Sequence, residues 1–537
     1  MKNFKLIFLF LMITLFLGCA SNLKDNKITH EFELSSDYGR FLSSQYSLKV
    51  GDNHITSKII SKSKNLHSDF TLAKLNFNSH LINGDFDKAK EFKLIATPKL
   101  DQLPMYDLPE FLINLKNKQS LYINNFSSMQ KHLPGFNVVF EKFNHMKLNE
   151  TNNYKDIIED LKKTNIFDLL IFENTKIESQ IYLNIKNTNF TLIEYILFLG
   201  YLKRKHPERF DQEINEFSLK FNYDIIFLKS YFQNEKYFTK KPDHKFIFAN
   251  LFSYLSFLLS SQKNIPNSYL KILNEISHYL EPSLGVNNYF LAETYSNEKN
   301  YKVALKKLNR IKENSFMFLY SEIKKYKILQ IIDKKKSNVL LSSIQNKYPK
   351  NNEVLFLIAN KYRNQNKCNK AIKLYDQLIN KSIKKDNYQY LKAICLDKLD
   401  KWDKSKELLI KLITQNPNDA YILNYLSYSM AIRNEDLIEA KKLIIKALKI
   451  EKNNGFFLDT LGWIQFKMND VDEATITIQK AIELEPNNSE IIDHLGDIYY
   501  KIGRKKEAIF EWRRALIGNA NNKLKKNIRS KIKKYNK

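Results

Sequence analysis

The chain has 537 residues, 43% of them hydrophobic and 13% aromatic, enough to bury a large core, and its 12 Gly and 11 Pro are too few for a sandwich, a barrel or a long disordered linker. A formal net charge of +28 arises from 86 Lys and Arg against 58 Asp and Glu. The positive charge is nearly all Lys scattered along helix faces, without an Arg-rich arm, zinc-finger spacing or RNP-type aromatic motif, so a solvated Lys surface is expected and nucleic acid is not an expected partner.

Met1 to Ala20 reads MKNFKLIFLFLMITLFLGCA. Lys2 and Lys5 give a positive n-region, and Leu6 to Leu17 form an apolar h-region of about twelve residues, too short to cross a hydrocarbon core of about 30 Å. Leu17-Gly18-Cys19 then resembles the lipobox of bacterial lipoproteins, with one departure: Phe16 stands where that family usually has Leu, and Leu15 lies one position further back. The resemblance implies a signal peptide over 1–18, a lipid carried covalently by Cys19 and a tether over 19–34, with no other cofactor. Several acyl chains anchor firmly, since each buried CH₂ adds about 0.8 kcal/mol. Ala20 after the Cys, in place of Asp, implies by the sorting habit of Gram-negative lipoproteins an outer-membrane anchor facing the periplasm. An ordinary signal sequence with an incidental Cys is the alternative.

From 35 to 99 two helical hairpins are expected. Tyr38 to His67 is the first, and Asp69 to Ala96 the second, with its turn in NGDFDKAKEF. Between 100 and 281 no signature letters recur, yet apolar residues keep helical spacing, as in Phe190, Ile193, Leu197 and Leu199-Gly200-Tyr201. This stretch reads as diverged hairpins continuing the same array, a separate helical domain being the alternative.

The stretch 282–520 is strongly repetitive. DTLGWIQFKMNDVDEATITIQKAIELEPNN is followed by DHLGDIYYKIGRKKEAIFEWRRALIGNANN. Gly462 to Gly496, Ala474 to Ala508 and Ala481 to Ala515 are each 34 apart, and at these residues the chain resembles the tetratricopeptide family. Small residues let the two helices of a repeat approach, Ile478 or Trp512 fills the seam, and Pro486 ends a helix. Upstream copies carry Ala440 and Ala447, then Ser405 and Pro417, then Ala359, Tyr362 and Ala371; a clear copy at 285–314 holds Ala292, Tyr295 and Ala304, and a worn one ends near Pro349. The fold class is therefore all-α, a tetratricopeptide-repeat solenoid of antiparallel helix pairs, in which each repeat covers the apolar face of the one before. Residues 521–537 read as a basic capping helix with Leu524, Ile528 and Ile532 on one edge; a basic helix on lipid is the alternative. Cys368 and Cys395 sit among apolar residues, and bridged and free states both remain open.

No converging set of catalytic groups is present: there is no zincin His pair, phosphate loop, nucleophile elbow or metal-spaced Cys/His cluster, so no enzyme and no metal site are expected. His494 reads as a half-exposed polar residue. A solenoid offers instead the face lined by the first helix of each repeat. The family's geometry implies that Phe356, Asn360, Tyr390, Tyr421, Asn424, Tyr428, Phe456, Asp459, Trp463, Asp493, Asp497 and Tyr500 form a partner-binding groove. Aromatic anchors with polar neighbours suit a protein segment, while several of these aromatics are expected only to pack between repeats. Asp459, Asp493 and Asp497 would gather into an acidic corner that attracts a basic segment of a partner; a solvated acidic face without a role and, less favoured, a metal site are the alternatives.

The tail, from LNYLSYSMA through FLDTLGWIQF to IDHLGDIYYKIGRKKEAIFEWRRAL, resembles Gram-negative tetratricopeptide lipoproteins, some of which bring periplasmic proteases or cell-wall hydrolases to their substrates. That resemblance implies a non-catalytic scaffold or adaptor for envelope proteins, with no small-molecule substrate. A pilotin-like part of a secretion or pilus system, or a wall-polymer-binding module, are the alternatives.

Overall fold

In a computed structural model of the chain, the structure describes residues 36–49, 53–117, 129, 132–159, 161–186, 188–221, 229, 232, 238–262, 264–381 and 385–535. The leader, Cys19 and the tether lie outside the described residues. Within them the regular structure is helical, with 3₁₀ turns at Pro98–Gln102 and Leu161–Lys163. The chain forms two compact units, Met1–Ile214 with Ile226–Ser337, and Asn215–Ile225 with Asn338–Lys537.

The first unit opens with α1 (Asp37–Lys49), α2 (Asn53–Ile60), α3 (Phe70–Asn83) and α4 (Phe86–Ile95). Asp69 starts α3 by accepting from the backbone N–H groups of Thr71 and Leu72, and Gly84 ends it in the left-handed region at φ 77°. There follow α5 (Leu108–Asn117), α6 (Phe136–Glu150), α7 (Lys155–Glu159), α8 (Ile166–Ile171), α9 (Glu178–Ile185), α10 (Leu192–Lys205) and α11 (Pro207–Phe221), whose residues from Asn215 onward belong to the second unit. Then come α12 (His244–Ser260), α13 (Asn267–Leu280), α14 (Gly285–Asn297), α15 (Tyr301–Leu308) and α16 (Phe318–Ile332).

Stacking here does not simply follow chain order. Helix α12 packs against α5, α6, α8 and α10 as well as its hairpin partner α13, and α3 packs on α13. The reason lies in α12 itself: Phe246, Ile247, Phe248, Ala249, Leu251, Phe252 and Leu255 are all buried, so the helix is apolar all round and needs partners on every side. Phe86 meets Tyr279 edge-on at 5.2 Å, and the Tyr269 hydroxyl donates to the Pro134 carbonyl at 2.7 Å.

The second unit is built from helix pairs. It contains α17 (Lys334–Lys347), α18 (Asn352–Asn364), α19 (Cys368–Lys381), α20 (Asp386–Asp397), α21 (Trp402–Gln415), α22 (Ala420–Ile432) and α23 (Leu437–Ile450). It continues with α24 (Gly455–Lys467), α25 (Val471–Leu484), α26 (Ser489–Lys501), α27 (Lys505–Ile517) and α28 (Asn522–Tyr535). The turns inside the pairs hold residues of positive φ at Asn366, Asp400, Asn434, Asn469 and Gly503, with Asp436 a second one in the α22–α23 turn. Asn, Asp and Gly are the residues that tolerate this region. Most new pairs are opened by a side-chain cap, Asn351, Asp419, Asn454 or Asn488 accepting from the second and third N–H groups of α18, α22, α24 or α26, whereas α20 follows Lys385 without one.

The seams follow the small residues. A Cβ on Gly462 would stand 2.7 Å from the Ile478 side chain, and one on Gly496 would stand 2.5 Å from the Trp512 ring. Ser427 takes the corresponding place in α22, and its hydroxyl donates to the Ala440 carbonyl at 2.7 Å. Ala440, Ala447, Ala474, Ala481, Ala508 and Ala515 are fully buried. Helix α28 lays Ile528, also fully buried, on the last pair, with Leu524 and Ile532 packed beside it.

Candidate interaction face

The first helices of the pairs, α18, α20, α22, α24 and α26, carry all twelve residues expected to line the groove. Many of the aromatics join neighbouring pairs. Phe356 packs on Tyr388 with ring centroids 5.3 Å apart, Tyr390 on Tyr425 at 5.9 Å, and Tyr421 on Phe457 at 5.5 Å. Burial pushes the Tyr390 hydroxyl up to about 12. Asn360 is occupied within its own repeat, where its side-chain oxygen accepts from the Tyr375 hydroxyl at 2.9 Å.

Two aromatics keep open faces: Tyr421 is 57% exposed and Phe456 52%. They hold equivalent places at the starts of α22 and α24. One turn along from Tyr421, Asn424 has a buried side-chain oxygen without a hydrogen-bond partner, as has Gln465 on α24. Such an oxygen costs stability until a donor reaches it.

Further along, Tyr428 of α22 donates to Glu490 of α26 at 2.7 Å, reaching past the intervening pair. Burial, together with Glu490, Asp459 and Asp493, holds this hydroxyl in its protonated form. Asp459 meets Nδ1 of His494 at 2.7 Å, and the imidazole stacks on Trp463 with centroids 4.1 Å apart. Burial alone would lower the His494 pKa, but Asp459, Glu490 and Asp493 outweigh it and raise it to about 9. His494 is thus a buried cation, only 6% exposed, and not the half-exposed residue its isolation in the sequence suggests.

The three carboxylates do not stand open to a partner. Lys531 of α28 donates to Asp493 at 2.9 Å and to Asp497 at 2.7 Å, and the Trp512 indole donates to Asp497 at 3.1 Å. Burial and Asp497 push the Asp493 carboxyl up, against the pull of Lys531. Tyr500 packs on Tyr535 of the same last helix at 4.1 Å. The basic segment expected at this corner is supplied by the chain itself. The sequence names the acids and His494 but gives that histidine no partner and leaves Lys531 and Glu490 unmarked; the placing of His494 35 positions after Asp459, one beyond a full repeat, is the available signal.

Outside this face, Glu141, His145 and Asp168 of the first unit bring potential ligand atoms within 4.8 Å of one another. Lys142 fills that cluster with its own charge, donating to both Glu141 and Asp168 at 2.7 Å, while His145 meets Asp168 at 2.6 Å. Asp168 is fully buried; burial raises its carboxyl, but His145 and Lys142 more than reverse this and hold it low. The group is an internal ion-pair network that also caps α8 through Asn165. Cys368 and Cys395 are both free and buried in one apolar cluster of the second unit. Among the described residues no helix is long and apolar enough to cross a membrane.

Residues 457–488 and 388–419 each match a family model described as tetratricopeptide repeat. A TPR repeat-containing protein of Pseudomonas aeruginosa is 29% identical over 85 residues, which is 16% of this chain and 14% of that protein. Among solved structures, a tetratricopeptide repeat protein from Parabacteroides merdae is 14% identical, covering 44% of this chain and 94% of that one at a TM-score of 0.38. A thermophilic TPR protein from Thermus thermophilus is 18% identical, covering 33% and 97%, at a TM-score of 0.31. The chain carries tetratricopeptide repeats in an all-α solenoid, and repeats of this kind support a protein–protein interaction scaffold.

Proposed function

We propose that this protein is a non-catalytic adaptor of the Gram-negative envelope, anchored to the outer membrane by lipid on Cys19 and presenting the first-helix face of its repeats to periplasmic proteins. An envelope protease or cell-wall hydrolase is the class of partner the reading favours. The observation that carries the partner-binding part is the open patch on α22 and α24. Exposed Tyr421 and Phe456 offer aromatic anchors. An extended segment laying apolar side chains on the two rings would cover both.

The test is capture from solubilised envelopes by the wild-type chain and by a Tyr421→Ala/Phe456→Ala/Asn424→Ala variant. Proteins retained by the first and lost by the second identify partners of this face; identical retention removes the face from the reading. The anchor is tested separately. Labelled palmitate should be incorporated by the wild type and not by Cys19→Ala, and the variant should leave the membrane fraction or keep its leader. Equal fractionation with no palmitate uptake by either protein refutes lipidation.

A further inference from the structure

We propose that a cavity in the first unit, where α3, α5, α13 and α15 end, is a binding site for a phosphate group. The cavity encloses about 310 Å³, at the lower end of the range for ligand pockets, and Lys116, Glu275, His278, Tyr279, Lys307 and Arg310 are among its walls. Three of these side chains are cationic and one is a carboxylate. Glu275 is buried and tied to Lys307 by an ion pair, so the lone acid and one cation cancel.

Lys116 and Arg310 are left over. The Lys116 ammonium lies 3.8 Å from the centre of the Tyr279 ring, which is fixed in turn by its hydroxyl donating to Asp87 at 3.1 Å. The exposed Arg310 guanidinium makes no hydrogen bond or ion pair among the described residues. Asp85 and Asp87 stand close by but do not line the cavity. His278 adds no charge: burial, Lys307 and Arg310 lower its pKa to about 4.

A single cation at a helix C-terminus needs no ligand, because the terminal carbonyls already favour it. Here two cations from different elements, α5 and the turn after α15, border the same volume, and neither forms an ion pair among the described residues. An Arg fork beside a Lys is the pairing that holds oxyanions. Phosphate, carrying about −1.5 to −2 at neutral pH, matches two unpaired cations better than a monocarboxylate does. Gly84 helps keep the space open. It occupies the left-handed region, and a Cβ there would approach the Glu275 carboxylate to 3.0 Å.

Inorganic pyrophosphate titrated calorimetrically into the full chain at low ionic strength is the test. Lys116→Gln/Arg310→Gln should weaken binding at least roughly tenfold, whereas Lys525→Gln/Lys526→Gln on the basic last helix should leave it unchanged. Co-sedimentation of Cys19→Ala protein with phosphatidic acid and phosphatidylcholine vesicles, with and without the cavity substitutions, separates the sources. Loss of phosphatidic acid binding in the cavity variant assigns the phosphate to a lipid headgroup, and loss of pyrophosphate binding alone assigns it to a soluble phosphate. Equal pyrophosphate binding by wild type and cavity variant, no binding up to about 10 mM, or binding of glutarate in its place overturns the proposal. Should the double variant misfold by circular dichroism, Arg310→Gln alone, at an exposed site, gives the same readout.

Discussion

His494 of α26 and Asp459 of α24 are joined at 2.7 Å across the step between two repeats, with the imidazole lying on Trp463. The pair makes the joint sensitive to pH. The His494 pKa is raised from 6.5 to about 9 in the fold, so protonation favours the folded joint. Its contribution is complete below the unfolded pKa near 6.5 and is lost as pH rises through 9. The shift corresponds to roughly 3 kcal/mol at most. Amide exchange in α24 and α26 should therefore quicken between pH 7 and 9.5, beyond the intrinsic rate change, and Asp459→Asn should abolish that excess. A His494 resonance titrating near 6.5 in the native protein would contradict the ion pair.

The seam at Gly496 gives a stability prediction. Gly496→Ala places a methyl group 2.5 Å from the Trp512 ring, which is itself fully buried and cannot swing aside. Overpacking of this kind costs about 1–3 kcal/mol. Because a repeat array couples mainly to its neighbours, hydrogen exchange should rise in α24 to α28 and stay unchanged in α18 and α19. Uniform acceleration across the second unit would show that it opens as one body.

These joints also show what the sequence made legible. Gly462, Gly496 and the buried alanines recur with the repeat, and each is small because a second helix presses on it, so letter and contact are the same fact. The positive-φ turns at Asn366, Asp400, Asn434, Asn469 and Gly503 keep that step as well, and would have fixed the pairing had they been followed. Helix α12 carries no such phase. An all-round apolar helix does not say which neighbours it will take, so its packing with α5, α6, α8 and α10 was illegible. The face residues were placed by register, whereas Lys531 and Glu490 act through single charges that leave no periodic trace.

Cys368 and Cys395 give a chemical prediction. Both lie in one apolar cluster, and burial followed by the neighbouring Cys368 thiol pushes Cys395 up to about 12, leaving little thiolate to react. In Cys19→Ser protein, iodoacetamide at pH 8 should modify neither thiol in the native state and both after denaturation. Rapid native alkylation of either one would show that the cluster opens.

Lys531 holds two carboxylates at once, and this double role predicts a non-additive response. Removing the ammonium with Lys531→Gln leaves Asp493, which is 6% exposed, beside Asp497 with nothing between their charges. The lysine is itself 27% exposed, so solvent screens part of the loss and the cost should be about 1–2 kcal/mol, below that of breaking a fully buried pair. The Asp493 carboxyl, already pushed up by burial and by Asp497, should rise further, so Lys531→Gln should lose least stability in acid, where protonation relieves the repulsion. Asp493→Asn/Asp497→Asn removes the same repulsion at every pH. Added to Lys531→Gln, it should therefore restore part of the stability that the single change loses, with coupling of about 0.5–3 kcal/mol in denaturant melts of the four proteins. Strictly additive losses would mean that α28 is held by Ile528 and Tyr535 alone, and that the acidic corner is free to meet charge from elsewhere.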